Sequence, residues 1–208
     1  MTTLLLCAWL AGLQPQAKAA IDVVLMVDVS HSVTYGAIKR DRTLVHDAGA
    51  ALAASLAPGD TARVGTFGDT MTLETARLTD AAAVRSAADA LTDKVGGGSP
   101  LWDALVAAVA ALEDGKARRG VVVITDGRST ANRTGFADAL ARLERARIPV
   151  YVVMFDKSDH AIPDPGARLV RIAKATGGTC LFVERPAIAG AIARAAAALR
   201  DGLSATAR

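Results

Sequence analysis

Three segments of the chain carry oxygen side chains whose types and spacing suit a divalent cation. The first is Asp28-Val29-Ser30-His31-Ser32, which follows the apolar run Ile21–Val27. Such a run is typical of a buried β-strand, so its end places one carboxylate and two alternate hydroxyls on one turn. Hard cations such as Mg²⁺, Mn²⁺ and Ca²⁺ prefer these oxygen ligands. In the simpler alternative, Ser32 caps a helix and Asp28 accepts bonds from turn amides.

Two later segments provide the further hydroxyl and the further carboxylate that such a site needs. Gly97–Leu105 enters a predicted helix and contains Ser99, and Ile124–Gly127 ends a second apolar run and contains Asp126. Both segments also have ordinary structural explanations. A serine before a proline is a good helix N-cap, and Asp-Gly is a common turn dipeptide. The metal hypothesis therefore depends on the three segments meeting at one place.

The hydrophobic pattern after the first twenty residues predicts alternating strands and helices. The predicted strands are Ile21–Val29, Arg63–Phe67, Met71–Thr75, Gly120–Thr125, Val150–Phe155 and Leu181–Val183. The predicted helices are Lys39–Leu56, Ala81–Leu91, Pro100–Leu112, Phe136–Ala146, Ala167–Thr176 and Ile188–Leu199.

This alternation indicates an α/β fold with a Rossmann-like, doubly wound sheet and helices on both faces. The short turn at Gly68-Asp69 makes the third strand an antiparallel edge. Right-handed crossovers and one reversal of winding predict the strand order 3-2-1-4-5-6. The first and fourth strands are then neighbours at the switch point, where ligands bind beyond the carboxyl ends of strands. Asp28 and Asp126 end these two strands and are therefore expected close together.

Taken in order, the three segments resemble the von Willebrand factor type A domain of bacterial type. Its metal-ion-dependent adhesion site combines an Asp-x-Ser-x-Ser turn with a Thr and an Asp from later loops. The resemblance covers about Ile21–Leu199, and Ser99 replaces the usual Thr, which keeps the hydroxyl but loses the methyl that restricts its rotamer. It implies serines that bind the metal directly and aspartates that bind it directly or through water. The implied ligands are Asp28, Ser30, Ser32, Ser99 and Asp126.

The resemblance also implies a function, which is binding to a protein without catalysis. In the family, an Asp or Glu side chain of the partner completes the coordination of the metal. Mg²⁺, or alternatively Mn²⁺ or Ca²⁺, is therefore the expected cofactor, and no catalytic residue is predicted. Loops that border the site are expected to choose the partner. The predicted rim consists of His31, Tyr35, Arg128, Asp156 and Lys157.

Other functions have less support in the sequence. A phosphatase of the haloacid dehalogenase type needs an aspartate at the position of Ser30, and no Gly-x-Ser-x-Gly elbow, dinucleotide fingerprint or P-loop occurs. Basic residues are scattered at a net charge of +3, so nucleic-acid binding is not expected. Two alternatives stay open. One is an intracellular accessory subunit of a chaperone-like ATPase or chelatase, which a cleaved leader would exclude. The other is a metal-dependent hydrolase.

The N-terminal residues predict a periplasmic or secreted protein. Leu4–Leu13 is apolar but shorter than the roughly 20 residues that span a bilayer, and Ala17-Lys18-Ala19 offers a small-x-small cleavage pattern. No Lys or Arg precedes Lys18, which departs from the usual signal peptide. No transmembrane span is expected after removal of this leader. The predicted organisation is a signal peptide over 1–19, a domain over 20–201 and a flexible tail over 202–208.

Composition indicates one domain with a core of ordinary size. The chain has 208 residues, of which 51% are hydrophobic and 4% aromatic, and this favours alanine-rich helices on a small sheet. Cys180 would be the only cysteine left after leader removal, so no intrachain disulfide is expected and a buried packing role is predicted. His46 lies in a predicted helix and is expected to be packed or solvated.

Overall fold

The computed structural model describes residues 19–34, 43–93, 95–155 and 165–202. The predicted signal peptide and tail lie almost wholly outside these residues, as do the first four positions of the helix predicted from Lys39. In the described part of the chain, every helix is too short or too polar to cross a membrane.

Six strands form one sheet within the described residues, in the predicted order β3-β2-β1-β4-β5-β6. β3 pairs antiparallel with β2, and all other neighbours are parallel. The prediction of an antiparallel edge is therefore confirmed. The strands are β1 (Ile21–Asp28), β2 (Thr61–Phe67), β3 (Met71–Leu73), β4 (Arg118–Thr125), β5 (Val150–Met154) and β6 (Cys180–Phe182).

Helices cover both faces of this sheet. The patterns in the sequence predict α2 to α7 but miss α1 and a 3₁₀ turn at Arg185–Ala187, because such short turns show no periodicity. The helices are α1 (His31–Thr34), α2 (Thr43–Ser55), α3 (Ala81–Asp89), α4 (Leu101–Ala110), α5 (Phe136–Ala146), α6 (Pro165–Thr176) and α7 (Ile188–Asp201).

The start of β4 is the clearest difference in element boundaries. The strand begins at Arg118 rather than at Gly120, because Arg118 and Arg119 pair in register with Ile21 and Asp22 of β1. Hydropathy does not reveal this extension, since it comes from two arginines. Backbone pairing with the neighbouring strand decides it instead.

The core lies in two layers, one on each side of the sheet. Val23, Leu25 and Val27 of β1 pack into the layer formed with α2, α3 and α7. Val24 and Met26 pack into the layer formed with α4, α5 and α6. Successive side chains of a strand point to opposite faces, which explains why the first strand reads as a continuous apolar run.

A buried ion pair joins the amino edge of the sheet to the last helix. Oδ1 of Asp60 accepts the N–H of Ile21 at 3.0 Å, and Oδ2 accepts the N–H of Ala57 at 2.8 Å. The same Oδ2 pairs with the guanidinium of Arg200 on α7. One carboxylate therefore ties β1, the loop before β2 and α7 together. It does so where β1 begins, at the opposite end of that strand from Asp28.

Replacing Asp60→Ala should lower the free energy of unfolding by about 3 kcal/mol or more, because it leaves the buried charge of Arg200 without its carboxylate and two backbone amides without their acceptor. Urea denaturation measures the loss. The matched control is Asp80→Ala, which removes only the N-cap bond to the amide of Ala83 on α3 and should cost about 1 kcal/mol. Equal losses in the two variants would contradict the role given to Asp60.

Candidate metal centre

Asp28 connects the three oxygen-bearing segments of the predicted metal site. It ends β1 with a side chain that is fully buried. Its Oδ1 accepts the N–H of Ser30 at 3.0 Å. Its Oδ2 accepts the hydroxyls of Ser99 at 3.2 Å and of Thr125 at 2.7 Å. The first turn, the serine before α4 and the end of β4 thus meet on a single carboxylate, as the topology predicts.

Ser30 and Ser32 present their hydroxyls side by side, with the two oxygens 3.3 Å apart. The short helix α1 holds them there. The carbonyl of Ser30 accepts the N–H groups of Val33 and Thr34 at 3.1 Å each and the hydroxyl of Thr34 at 3.0 Å. Ser32 lies inside α1, so the alternative in which Ser32 caps a helix is wrong.

Ser99 is almost completely buried and does not cap α4. The cap position of α4 is Pro100, and it makes no side-chain cap bond. The hydroxyl of Ser99 donates to Asp28 instead. The helix-cap explanation of Ser99 is therefore wrong, because its hydroxyl is directed at Asp28 and the N–H of Trp102 in the first turn of α4 is bonded to Asn132 instead.

Asp126 follows the last residue of β4, and its side chain is 7% exposed. Its Oδ1 accepts the N–H of Arg128 at 2.9 Å. This bond closes the turn that the Asp-Gly pair predicts. Its Oδ2 lies 3.8 Å from Nε of Arg128. Its negative charge also acts on Asp28, so the two aspartates are electrostatic neighbours at the switch point.

Consecutive glycines before Ser99 allow the loops around the site to pack together. Gly97 has a φ of +77°, and a Cβ there would lie 2.3 Å from Cβ of Asp69; one on Gly98 would lie 2.6 Å from Cβ of Ala131. The carbonyl of Gly97 also accepts the N–H of His31 at 2.9 Å. Side chains at these positions would separate the loops that carry the predicted ligands.

The pKa of the Asp28 carboxyl is raised from 3.8 to about 6. Burial is the main cause, because it disfavours the charged form, and the negative charge of Asp126 adds to it. Hydrogen bonds from Ser30 and Thr125 oppose this rise. The chain thus holds a carboxylate where ionisation is costly and a nearby cation would offset the cost.

The donor set of this cluster fits a hard divalent cation. It combines two carboxylates with three hydroxyls, and all five groups are oxygen ligands. Two ligands at right angles on Mg²⁺ are about 3.0 Å apart, given Mg–O distances of about 2.1 Å. The Ser30–Ser32 and Ser99–Asp28 oxygen separations are close to this value. The described residues contain no group of three or more His, Cys, Asp or Glu side chains that could hold a metal ion, so the hydroxyls are essential to this hypothesis.

The predicted rim is only partly described. His31 is exposed at the start of α1. Arg128 is half-buried beside Asp126. Tyr35, Asp156 and Lys157 lie outside the described residues, so their place in the rim stays a prediction.

Four further residues contribute to the site and were not predicted as ligands. Thr125 donates to Asp28 and also accepts the N–H of Gly127 at 3.0 Å. The sequence signal that could have identified Thr125 is its position directly before Asp126. The others lie in α4 and in the loop after Asp126, where nothing in the sequence pairs them. They are Asp103, Thr130 and Asn132, which bond the two segments to each other.

Cys180 and His46 have structural surroundings. Cys180 is half-buried against the second core layer, which is less than the full burial predicted, and burial raises its pKa to about 11. His46 is exposed on α2, and its Nδ1 lies 2.6 Å from Oδ1 of Asp89 on α3. This contact raises the pKa of His46.

Comparison with known proteins agrees with the fold and the order of these segments. The family model of the von Willebrand factor type A domain matches residues 23–128, which is more than half of the chain and includes the segments of Asp28, Ser99 and Asp126. The chain belongs to the von Willebrand factor type A domain family. No curated protein matches the chain significantly.

Several solved structures share this von Willebrand type A fold. BatB from Bacteroides thetaiotaomicron, a conserved hypothetical protein, has 16% identity and a TM-score of 0.67, over 88% of this chain and 100% of that one. A von Willebrand factor type A protein from Catenulispora acidiphila has 18% identity and a TM-score of 0.70, over 88% of this chain and 43% of that one. The von Willebrand factor domain of the type V pili tip protein Mfa5 from Porphyromonas gingivalis has 11% identity and a TM-score of 0.68, over 89% of this chain and 97% of that one. Identities this low establish the fold alone.

Asp28→Asn should stabilise the metal-free protein above pH 7. Folding raises the pKa of the Asp28 carboxyl from 3.8 to about 6. Its ionised form therefore costs about 3 kcal/mol of folding free energy at high pH. That cost disappears as the pH falls through 6 towards 4, because the folded state then takes up the proton more readily. Urea denaturation in the presence of chelator should show that the stability of the variant relative to the wild type is about 3 kcal/mol higher at pH 8 than near pH 4. A difference that does not change with pH would contradict this.

Gly97→Ala should destabilise the protein by about 2 kcal/mol or more, because both the backbone angle and the contact with Asp69 oppose a side chain. Gly96→Ala is a matched control. Gly96 also has a positive φ, of +114°, but a Cβ there would have no atom within 4 Å. Only the cost of the backbone angle, about 1–3 kcal/mol, is therefore expected, whereas Gly97→Ala adds the clash with Asp69 to a similar cost. Equal unfolding free energies for the two variants would disprove the close packing against Asp69.

Proposed function

We propose that this chain is an interaction module that binds a divalent cation and, through it, an acidic side chain of a partner protein. Mg²⁺ is the preferred ion, with Mn²⁺ or Ca²⁺ as alternatives. The observation that supports this most is the convergence of Ser30 and Ser99 on Asp28, with the hydroxyl of Ser32 beside that of Ser30 and with Asp126 as an electrostatic neighbour. Family membership adds to it, since the matched region contains all five residues.

Each residue has a role in the proposed site. Ser30 and Ser32 would hold the ion through their hydroxyls, and Ser99 through the hydroxyl that now donates to Asp28. Asp28 and Asp126 would balance its charge, directly or through water. When bound, the ion supplies an electrophilic position that can accept a carboxylate from outside the protein. The chain itself is proposed to recognise and hold the partner without catalysis.

A location outside the cytoplasm accords with this role. The predicted leader supports it, and so does the similarity in fold to a pilus tip domain. His31, at the start of α1, and Arg128, in the loop after β4, border the cluster. The positive charge of Arg128 at the rim would favour an acidic segment of the partner.

Mg²⁺ should raise the melting temperature of the full chain, because a ligand that binds only the folded state stabilises it in proportion to its concentration over Kd. Asp126→Ala should abolish this rise while it leaves the fold intact. Glu144→Ala is the matched control, since it removes an exposed carboxylate in the last turn of α5. A melting temperature that does not respond to Mg²⁺, Mn²⁺ or Ca²⁺ would refute the metal site.

Partner capture tests the second half of the proposal. The immobilised full chain is exposed to surface proteins in Mg²⁺ and in chelator, with Asp126→Ala and Glu144→Ala in parallel. We expect the wild type and Glu144→Ala to retain a protein in Mg²⁺ and to lose it in chelator. Asp126→Ala should not retain that protein in either condition. Retention that survives both chelator and Asp126→Ala would show that the partner is not bridged by metal.

A further inference from the structure

The first turn of α4 is capped by another loop. The cap position, Pro100, makes no side-chain cap bond, yet the N–H of Trp102 is bonded. Its acceptor is Oδ1 of Asn132, at 2.6 Å, in the loop that follows Asp126. The side-chain amide of Asn132 donates in turn to Oγ of Ser129 at 2.7 Å, which fixes its orientation. The loop of Asp126 thus supplies a bond that a helix usually obtains from the residue before it.

The same loop also holds the backbone of Ser99. Oγ1 of Thr130 accepts the N–H of Ser99 at 3.0 Å. The carbonyl of Ser99 accepts the N–H of Thr130 at 3.0 Å and that of Ala131 at 3.5 Å. Both backbone groups of this buried serine are therefore engaged by one neighbouring segment, and its side chain is left to Asp28.

Asp103 binds the loop from the side of the helix. Its Oδ2 accepts the N–H of Arg133 at 2.7 Å, and its Oδ1 accepts the N–H of Thr134 at 2.9 Å. Bonds to a carboxylate are stronger than bonds between neutral groups. The ring of Trp102 then packs edge-on against Phe136, with ring centres 5.2 Å apart. These contacts and the bonds of Thr130 and Asn132 are called the loop clamp below.

We propose that Thr130, Asn132 and Asp103 are positioning residues, which keep the hydroxyl of Ser99 available to the site. Asn132 takes over the capping of α4, whereas Thr130 and Asp103 hold the two segments against each other. A serine or threonine before a helix ordinarily uses its hydroxyl for the cap. Here the cap bond comes from Asn132, so Ser99 can point to Asp28. The loop clamp also makes the segments of Ser99 and Asp126 move as one unit. This inference builds on the proposed function, because it concerns the same five ligands.

The loop clamp explains how serine can serve where the family usually has threonine. A methyl on Cβ would restrict the rotamer of the side chain. In this chain the backbone of Ser99 is fixed from both sides instead, which limits the directions open to its hydroxyl. Restriction of the backbone replaces restriction of the rotamer.

Two measurements on the full chain test the loop clamp. Asn132→Ala and Thr130→Val each remove one acceptor, whereas Asn132→Asp and Thr130→Ser keep it. Amide hydrogen exchange in the metal-free protein should become at least about tenfold faster over residues 99–105 and 128–134 in the first pair only. Mg²⁺ affinity, measured by calorimetry with the metal alone, should weaken about tenfold in the same pair. Thr92→Val is the control, because it removes an exposed hydroxyl bond at the end of α3.

The outcomes separate this inference from the proposed function. If the wild type does not bind Mg²⁺, the proposed function fails, and the inference about Ser99 as a ligand fails with it, whatever the exchange rates. If the wild type binds Mg²⁺ but Asn132→Ala and Thr130→Val bind it equally well, only the positioning role is refuted. Unchanged exchange in both variants would show that the loop clamp does not hold the segments. Equal losses in the conservative pair would assign the effect to general destabilisation.

Discussion

The buried carboxylate of Asp28 is the interaction on which the arrangement of this domain edge depends. It accepts hydroxyls from Ser99 and from Thr125, and the amide of Ser30. Three segments that are distant in the chain therefore converge on two oxygen atoms. Parallel pairing of β1 with β4 brings the strand ends together, but the direction of the side chains is set by these bonds. Without an acceptor at this position, the hydroxyls would have no common target.

This position also has a cost, which links the architecture to the proposed role. Burial and the charge of Asp126 raise the pKa of Asp28, so the ionised site opposes folding in the absence of a cation. Proteins keep such unfavourable charge mainly where function requires it. Stability is recovered elsewhere, for example through Asp60, which holds β1 and α7 together at the opposite edge of the sheet.

The sequence predicts the fold well because the strands and helices follow short-range patterns, and the fold in turn brings the segments of Asp28 and Asp126 to the same end of the sheet. Continuous apolar runs mark strands buried on both faces, and winding rules then bring Asp28 and Asp126 together. The extension of β4 over two arginines escapes this reasoning, since it depends on pairing with a neighbouring strand. Asp103 and Asn132 escape it for a similar reason, because their partners lie about thirty positions away in sequence. An ordinary polar residue in a helix or a loop carries no signal of a distant bond.

Ser99 shows how the structure changes the interpretation of one residue. Its sequence context is that of a helix cap, and a cap would compete with a role in metal binding for the same hydroxyl. In the structure, Asn132 supplies the cap bond, so the competition is resolved by a residue in a different loop. A substitution of threonine by serine therefore cannot be judged from that position alone. Its effect depends on whether the neighbouring loop fixes the backbone, and here three hydrogen bonds from Thr130 and Ala131 do so.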